Sequence, residues 1–443
     1  MRKRSIAILA VVAFAAVMAA VGPGARDTAL ACAFDPRTPE AYEADQGRTR
    51  YNAAIEAASV NRLFPSDPFF ALPVVERGLR TSRVDGSPFI PATLLKAIAW
   101  VESTMTMASR SVQFDSIGPA QVSFDCGHGI MQVTSGMTTG LGSDNSATPR
   151  QASIATHFAY NVARGAQILA EKWNGAPEQR PIVGTDTGGD PALVENWYYA
   201  TWAYNGFTGP GASISNHPLD PAFAGPRPAY NCDGTQARNR YPYQELVWGC
   251  MAHPDTRNGQ LLWQPLPATL PNLTDPRVFS AMSVANWTFP YAAMDIPTPQ
   301  PAHVALVPTV TTGAAAALLG APQLQVSTQR VQVNVNNPAG AKATVTIRNG
   351  GTGVLTWLAT TSDRFLVLSP PAGAAAGSDM KCISPGCPDG QLVITVNPTL
   401  LPTARASGVI HLTSPNAGGQ TVDITVDVTA EFSIGAPGTS RAR

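Results

Sequence analysis

Apolar residues recur along this chain with two different periods, and the change of period divides it. Between about 90 and 250 they return every three or four positions, the period of a helix with one buried stripe. Leu94, Leu95, Ile98 and Ala99 form one stripe behind Pro91, a residue favoured at helix starts. Phe158, Val162, Ala166, Leu169 and Trp173 form a second, and Leu193, Trp197, Ala200 and Tyr204 a third. Tyr51 to Val60 predicts another helix ahead of them. After 322 the period falls to two, through Val331, Val333, Val335, then Val345 and Ile347, then Leu392, Ile394, Val396, then Val422 to Val428. Turn residues separate these runs at Asn349-Gly350-Gly351, Pro370-Pro371, Asn397-Pro398 and Gly418-Gly419. Short alternating strands at such spacing predict a β-sandwich.

The boundaries follow from this pattern. Residues 32–87 read as an N-terminal helical extension, 88–255 as a helical domain, and 256–321 as a Pro/Ala-rich linker, partly packed through Trp263, Trp287 and Tyr291. The sandwich occupies 322–433, and 434–443 reads as a disordered tail. At the other end, Arg2, Lys3 and Arg4 precede an apolar run from Ile6 to Val21, and Ala29-Leu30-Ala31 offers a cleavage site. Residues 1–31 therefore predict a signal peptide, with no membrane span once it is removed. An uncleaved anchor and acylation at Cys32 are the alternatives. Against acylation, Ala29 stands three before Cys32 where a lipoprotein signal carries Leu. The expected location is secreted, or attached to the cell surface or wall.

Charge narrows the partners. Thirty basic and thirty acidic residues leave no net charge, and only 14% of residues are charged, which argues against a nucleic-acid binder. Four of the basic residues lie within 1–31, so the exported chain is slightly acidic. In an oxidising compartment Cys32, Cys126, Cys232, Cys250, Cys382 and Cys387 predict disulfides. Proximity favours Cys382–Cys387 and Cys232–Cys250, which leaves Cys32–Cys126. No CxxC pair or HExxH frame is present, and neither a metal nor another cofactor is expected. The acids between Asp186 and Glu195 break the EF-hand frame.

One carboxylate stands out. Glu102 lies four after Ile98 and seven after Leu95, on the buried stripe, and at the C-terminal end of its helix. Burial and the negative helix terminus both raise a carboxyl pKa, and a carboxylic acid still protonated near neutrality suits general-acid cleavage of a glycosidic bond. Taken alone, an exposed Glu at a frayed helix end is the better reading. Downstream, Gly129-Ile130-Met131-Gln132 supplies a close backbone approach, an apolar wall and an amide, and Ala203-Tyr204-Asn205 ends an aromatic-rich helix. Sugar sites combine flat aromatic surfaces with a few polar groups.

In that order, Glu102-Ser103, Gly129 to Gln132 and Ala203 to Asn205, together with the helix from Asn161 to Leu169, resemble the soluble lytic transglycosylase family. Its fold is shared with goose-type lysozymes, and the resemblance covers about 88–210. It implies a mainly α lysozyme-like catalytic domain, beside a separate all-β immunoglobulin-like sandwich that resembles the BACON-like group. It implies Glu102 as the only acid/base and Ser103 as an orienting group. Gly129, Ile130, Met131 and Gln132 would line the cleft. Tyr204 would hydrogen-bond near the carboxyl, while Ala203 and Asn205 would shape the site. The substrate would be peptidoglycan glycan strands, cut between N-acetylmuramic acid and N-acetylglucosamine with 1,6-anhydro ends. An insertion over 109–126 departs from the family pattern and brings Asp115, Asp125 and His128 close to the motif. A second carboxylate there would make the enzyme a muramidase-type hydrolase. A non-catalytic wall-binding protein is the remaining reading.

Overall fold

The computed structural model describes residues 32–79, 82–175, 182–206, 215–223, 225–272, 274, 295–337, 340–382 and 388–430. The expected leader and tail, Cys387, Trp287 and Tyr291 lie outside these residues.

The N-terminal body begins with strand β1 (Glu40–Glu43) and helix α1 (Thr49–Ser59), followed by α2 (Ala92–Ser103) and strand β2 (Ser116–Pro119), which pairs antiparallel with β1. Helix α3 (Pro149–Thr156) starts on a capping box, with Thr148 and Gln151 satisfying each other's end of the turn and Pro149 as its first residue. Helix α4 (Phe158–Asn174) buries the stripe Phe158, Val162, Ala166, Leu169 and Trp173. Strand β3 (Ile182–Val183) and helices α5 (Tyr198–Tyr204) and α6 (Tyr243–Ala252) complete the body, with the hairpin β4 (Thr256–Arg257) and β5 (Gln260–Leu261) turning on Asn258-Gly259. Both turn residues have positive φ, the conformation that favours this pair. Disulfides join Cys32 to Cys126 and Cys232 to Cys250; Cys382 is also disulfide-bonded.

The described parts of 256–321 pack against this body. Strand β6 (Asp295–Ile296) pairs parallel with β3, and helix α7 (Thr312–Leu319) buries Ala315 and Leu318. Buried Glu195 holds this segment down by accepting from the Thr269 and His303 N–H groups at 2.9 Å each. Asp186 accepts from the Thr298 N–H at 2.7 Å. The two acids that frame 186–195 are thus anchors for a returning chain.

The sandwich has a four-stranded sheet, in the order β11 (Leu366–Ser369), β13 (Gly390–Val396), β9 (Lys342–Asn349), β7 (Leu324–Val326). Its five-stranded sheet runs β12 (Ala372–Ala376), β10 (Val354–Thr360), β14 (Arg405–Ser414), β15 (Gln420–Thr429), β8 (Arg330–Asn334). Only β8 and β15 pair parallel within it. Val345, Ile347, Leu392, Ile394, Ile410, Leu412, Ile424 and Val426 fill the space between the sheets around Trp357.

The sandwich is not a separate module. On β10, Leu355, Trp357 and Ala359 face the sandwich core, whereas Val354 and Leu358 join the core of the N-terminal body. Ala372, Ala374 and Ala376 of β12 do the same, and every residue of β12 is buried. A strand covered on both faces reads as a continuous apolar run, as Val-Leu-Thr-Trp-Leu does here. The one hydroxyl in that run, Thr356, hydrogen-bonds Thr156 of α3 at 3.2 Å in the buried contact. Tyr42 of β1 donates to the Lys381 carbonyl at 2.9 Å, and Arg37 to the Leu368 carbonyl at 2.5 Å. The alanines of β12 keep side chains short where two bodies meet face to face.

Candidate active site

Glu102 sits on the last turn of α2. That helix is buried on nearly all sides, so its residues from Leu94 to Val101 carry no exposed face. Its end is closed tightly: the Thr104 N–H reaches the Trp100 carbonyl at 2.8 Å and the Met105 N–H the Ala99 carbonyl at 3.1 Å. The Thr104–Trp100 bond is that of the αL helix terminus, here with Thr104 rather than glycine in the left-handed region. The exposed Arg238 donates to the Val101 carbonyl at 2.6 Å, which places a guanidinium at the negative end of the helix.

The Glu102 side chain is half-buried, and Tyr243, the first residue of α6, donates to its Oε1 at 2.6 Å. Burial pushes the carboxyl up to about 7; the Tyr243 hydrogen bond and Arg238 pull it down, and Asp125 pushes it up further. Burial wins because two favourable partners do not replace the hydration a carboxylate loses. Tyr243 itself is held well above the usual phenol range, by burial first and then by Glu102. It therefore stays a donor. With Oε1 taken by Tyr243, Oε2 is left to carry the acid's own proton.

The loop from Gly129 to Gln132 lies against this helix end. Ser103 is buried, donates to the Ile130 carbonyl at 2.8 Å, and accepts from the Thr106 N–H at 3.1 Å. Its hydroxyl is spent on joining α2 to the loop. Ile130 and Met131 are fully buried and belong to the core. Met131 packs on Gly165 of α4 so closely that a Cβ there would lie 2.5 Å from the methionine Cβ. Gly129 has φ of +66°, and a Cβ on it would meet Met107 Sδ and Asn161 Nδ2 at 2.7 Å each. Gln132 folds back, donating to the Gly129 carbonyl at 2.7 Å. Buried Asn161 clamps the loop: its amide donates to the His128 carbonyl at 2.7 Å and accepts from the Met131 N–H at 2.8 Å.

Tyr204 is drawn to the loop rather than to the carboxyl, donating to the Met131 carbonyl at 2.8 Å. It is still near enough for the Glu102 charge to add to burial in raising its pKa far above normal. Ala203 is half-buried, and Asn205 is exposed and accepts from Asn216 at 3.2 Å. Of the residues flanking the insertion, Asp115 is engaged elsewhere, by Tyr42 at 3.2 Å. Asp125 is exposed, and its charge adds slightly to the rise of the Glu102 pKa. His128 is buried against Phe34 with Nδ1 2.7 Å from the Cys126 carbonyl, and burial lowers its pKa to about 4. It remains neutral and holds a turn.

Two groups at the site carry no sequence motif: Tyr243 and Arg238. Asn161 entered the sequence reading only as the first residue of the helix from Asn161 to Leu169, not as a clamp on the loop. A cavity of about 720 Å³ lined by Tyr198, Phe223, Arg227 and Glu245 is a different place; its wall is closed by the Arg227–Glu245 ion pair.

No family model matches the chain, and no curated protein matches it. Among solved structures, the chain is similar to the periplasmic chaperone SfaE at 10% identity and a TM-score of 0.20, over 26% of this chain and 60% of that one. It is similar to the Pseudomonas aeruginosa CupB2 chaperone at 11% identity and 0.19, over 24% of this chain and 55% of that one. It is also similar to the PapD-like domain of human CEP192 at 11% and 0.19, over 30% and 95%. No activity is carried over from these proteins. The resemblance to the soluble lytic transglycosylase family and to the BACON-like group is corrected here. The structures reported are chaperone-type and PapD-like sandwiches, with no lysozyme-type fold among them, and no family model supports the motif match. Glu-Ser, Gly-Ile-Met-Gln and Ala-Tyr-Asn are each too short to specify a fold, and much of Gly129 to Met131 serves the core.

Proposed function

We propose that the protein is an exported glycan-cleaving enzyme in which Glu102 is the acid/base, acting on the β-1,4 bond between N-acetylmuramic acid and N-acetylglucosamine in peptidoglycan. The observation that carries this is a carboxyl half-buried at a helix end, with a pKa of about 7 and one oxygen held by a tyrosine. Such a group is protonated at the start of a reaction and accepts a proton at its end. Glu102 gives its proton to the glycosidic oxygen as the C1–O4 bond breaks, and the substrate's N-acetyl oxygen shields the cation. The carboxylate then takes the proton of the muramyl 6-hydroxyl as that oxygen closes on C1. Tyr243 stabilises the carboxylate between the two transfers. The Cys32–Cys126 and Cys232–Cys250 disulfides fit an oxidising compartment, and among the described residues no helix is long and apolar enough to cross a membrane.

Asp125 favours a second reading. Its carboxylate is exposed and near enough for its charge to act on Glu102; acting on water, it would make the product a hydrolysed reducing end. Digestion of purified sacculi separates the two by mass: anhydro ends belong to the lyase, ends heavier by one water to the hydrolase. Glu102→Gln lowers activity by about 10²–10⁴-fold in either case. Undiminished lysis by that variant overturns the proposal.

A further inference from the structure

Phe124 is the most exposed large apolar side chain among the described residues, at 83%. The backbone around it is built to keep it out. The Ser123 N–H donates to the Gly127 carbonyl at 2.9 Å, and the Cys126 N–H to the Ser123 carbonyl at 3.1 Å. The Gly127 N–H donates to Ser123 Oγ at 2.8 Å, so the turn is closed from within. Cys126 has φ of 70° and is tied to Cys32 by a disulfide. A bridge between Val122 and His128 closes the base. These bonds fix the backbone that carries the exposed ring.

This turn forms the rim of the site. A Cβ on Gly127 would lie 3.1 Å from both the carbonyl and the side-chain oxygen of Gln132. His128 bridges to Val133 on the far side, and the Gly129 N–H donates to the Gln121 carbonyl at 2.9 Å. The same loop is fastened to the residue after Glu102 through the Ser103–Ile130 hydrogen bond. Asp125, next to Phe124, is near enough for its charge to act on Glu102.

We propose that Phe124 is a sugar-stacking platform, binding the apolar face of a β-linked N-acetylhexosamine ring beside the bond that Glu102 cleaves. This rests on the glycan-cleavage reading of the site. A pyranose in β-linkage presents a flat face of C–H groups, and the electron-rich face of a phenyl ring complements it. The ring is already exposed and its backbone already ordered, so little conformational freedom is lost on binding. Phe124 positions substrate and takes no part in proton transfer.

The Glu102→Gln protein, which keeps the site but not the acid, is the binding background. Titration with the β-1,4-linked N-acetylglucosamine hexamer and co-sedimentation with sacculi are the two readouts. Adding Phe124→Ala weakens both by about tenfold, while Phe124→Trp keeps them. In the active enzyme the loss from Phe124→Ala falls on KM rather than kcat. If Phe124→Ala binds within twofold of its parent while the wild type cleaves sacculi, the platform is refuted and the role of Glu102 stands. If Glu102→Gln binds neither probe and the wild type cuts neither, the reading of the site falls and the platform with it.

Discussion

Replacing Glu102 by Gln removes a titrating proton from a half-buried position, and stability then reports the electrostatics of the site without any substrate. The native carboxyl has a pKa of about 7 against 4.5 for the unconstrained group. Between these values the unfolded chain has released its proton and the folded chain has kept it, so stability falls as pH rises. Below pH 4.5 both states are protonated and the full contribution is present; above pH 7 it is lost. At 1.36 kcal/mol per pKa unit the ceiling is about 3 kcal/mol, and residual exposure reduces this to about 1.5–3 kcal/mol. Gln at 102 keeps an oxygen for Tyr243 and has nothing to titrate. The comparison also cancels every other group, including Glu43, which burial raises to about 7 in both proteins. Calorimetry from pH 4 to pH 8 is therefore expected to show similar melting temperatures at the acid end. At the alkaline end the variant melts a few degrees higher. Parallel curves, or a wild type that gains on the variant as pH rises, refute a buried, raised Glu102.

Tyr243→Phe removes the donor to Oε1, so the Glu102 pKa climbs and the alkaline limb of the pH–activity profile moves up by about one to two units; an unmoved or lowered limb counts against the hydrogen bond's role. Deleting 322–433 strips the covering from α3 and β1, and the truncated chain is expected to aggregate and bind a hydrophobic dye; a monomeric product with an unchanged melting temperature would show the contact to be dispensable. Cys32→Ser with Cys126→Ser opens a crosslink spanning 94 residues, worth up to about 4–5 kcal/mol by chain entropy. A matched melting temperature in that double variant contradicts the expected pinning of the turn.

The period of the apolar positions determined much of the local structure by itself. Helix α2, the stripe of α4 and the alternating strands β9, β13 and β15 follow from side-chain directions that repeat every 3.6 or 2 residues, which needs no knowledge of neighbours. The position of Glu102 at a helix end was legible for the same reason. Its hydrogen-bond partner was not. Tyr243 stands 141 residues away and reaches Oε1 only because α6 packs its first turn against the last turn of α2. The short motifs misled in a consistent way: Ser103, Ile130 and Met131 are held by packing and backbone bonds, which look in sequence like a site and act in space as its scaffold. Above all, the near-continuous apolar run of β10 carries no alternation to tell its faces apart, and only the tertiary structure decided that both are covered. Burial on the second face depends on what another part of the chain brings there, and no local pattern carries that information.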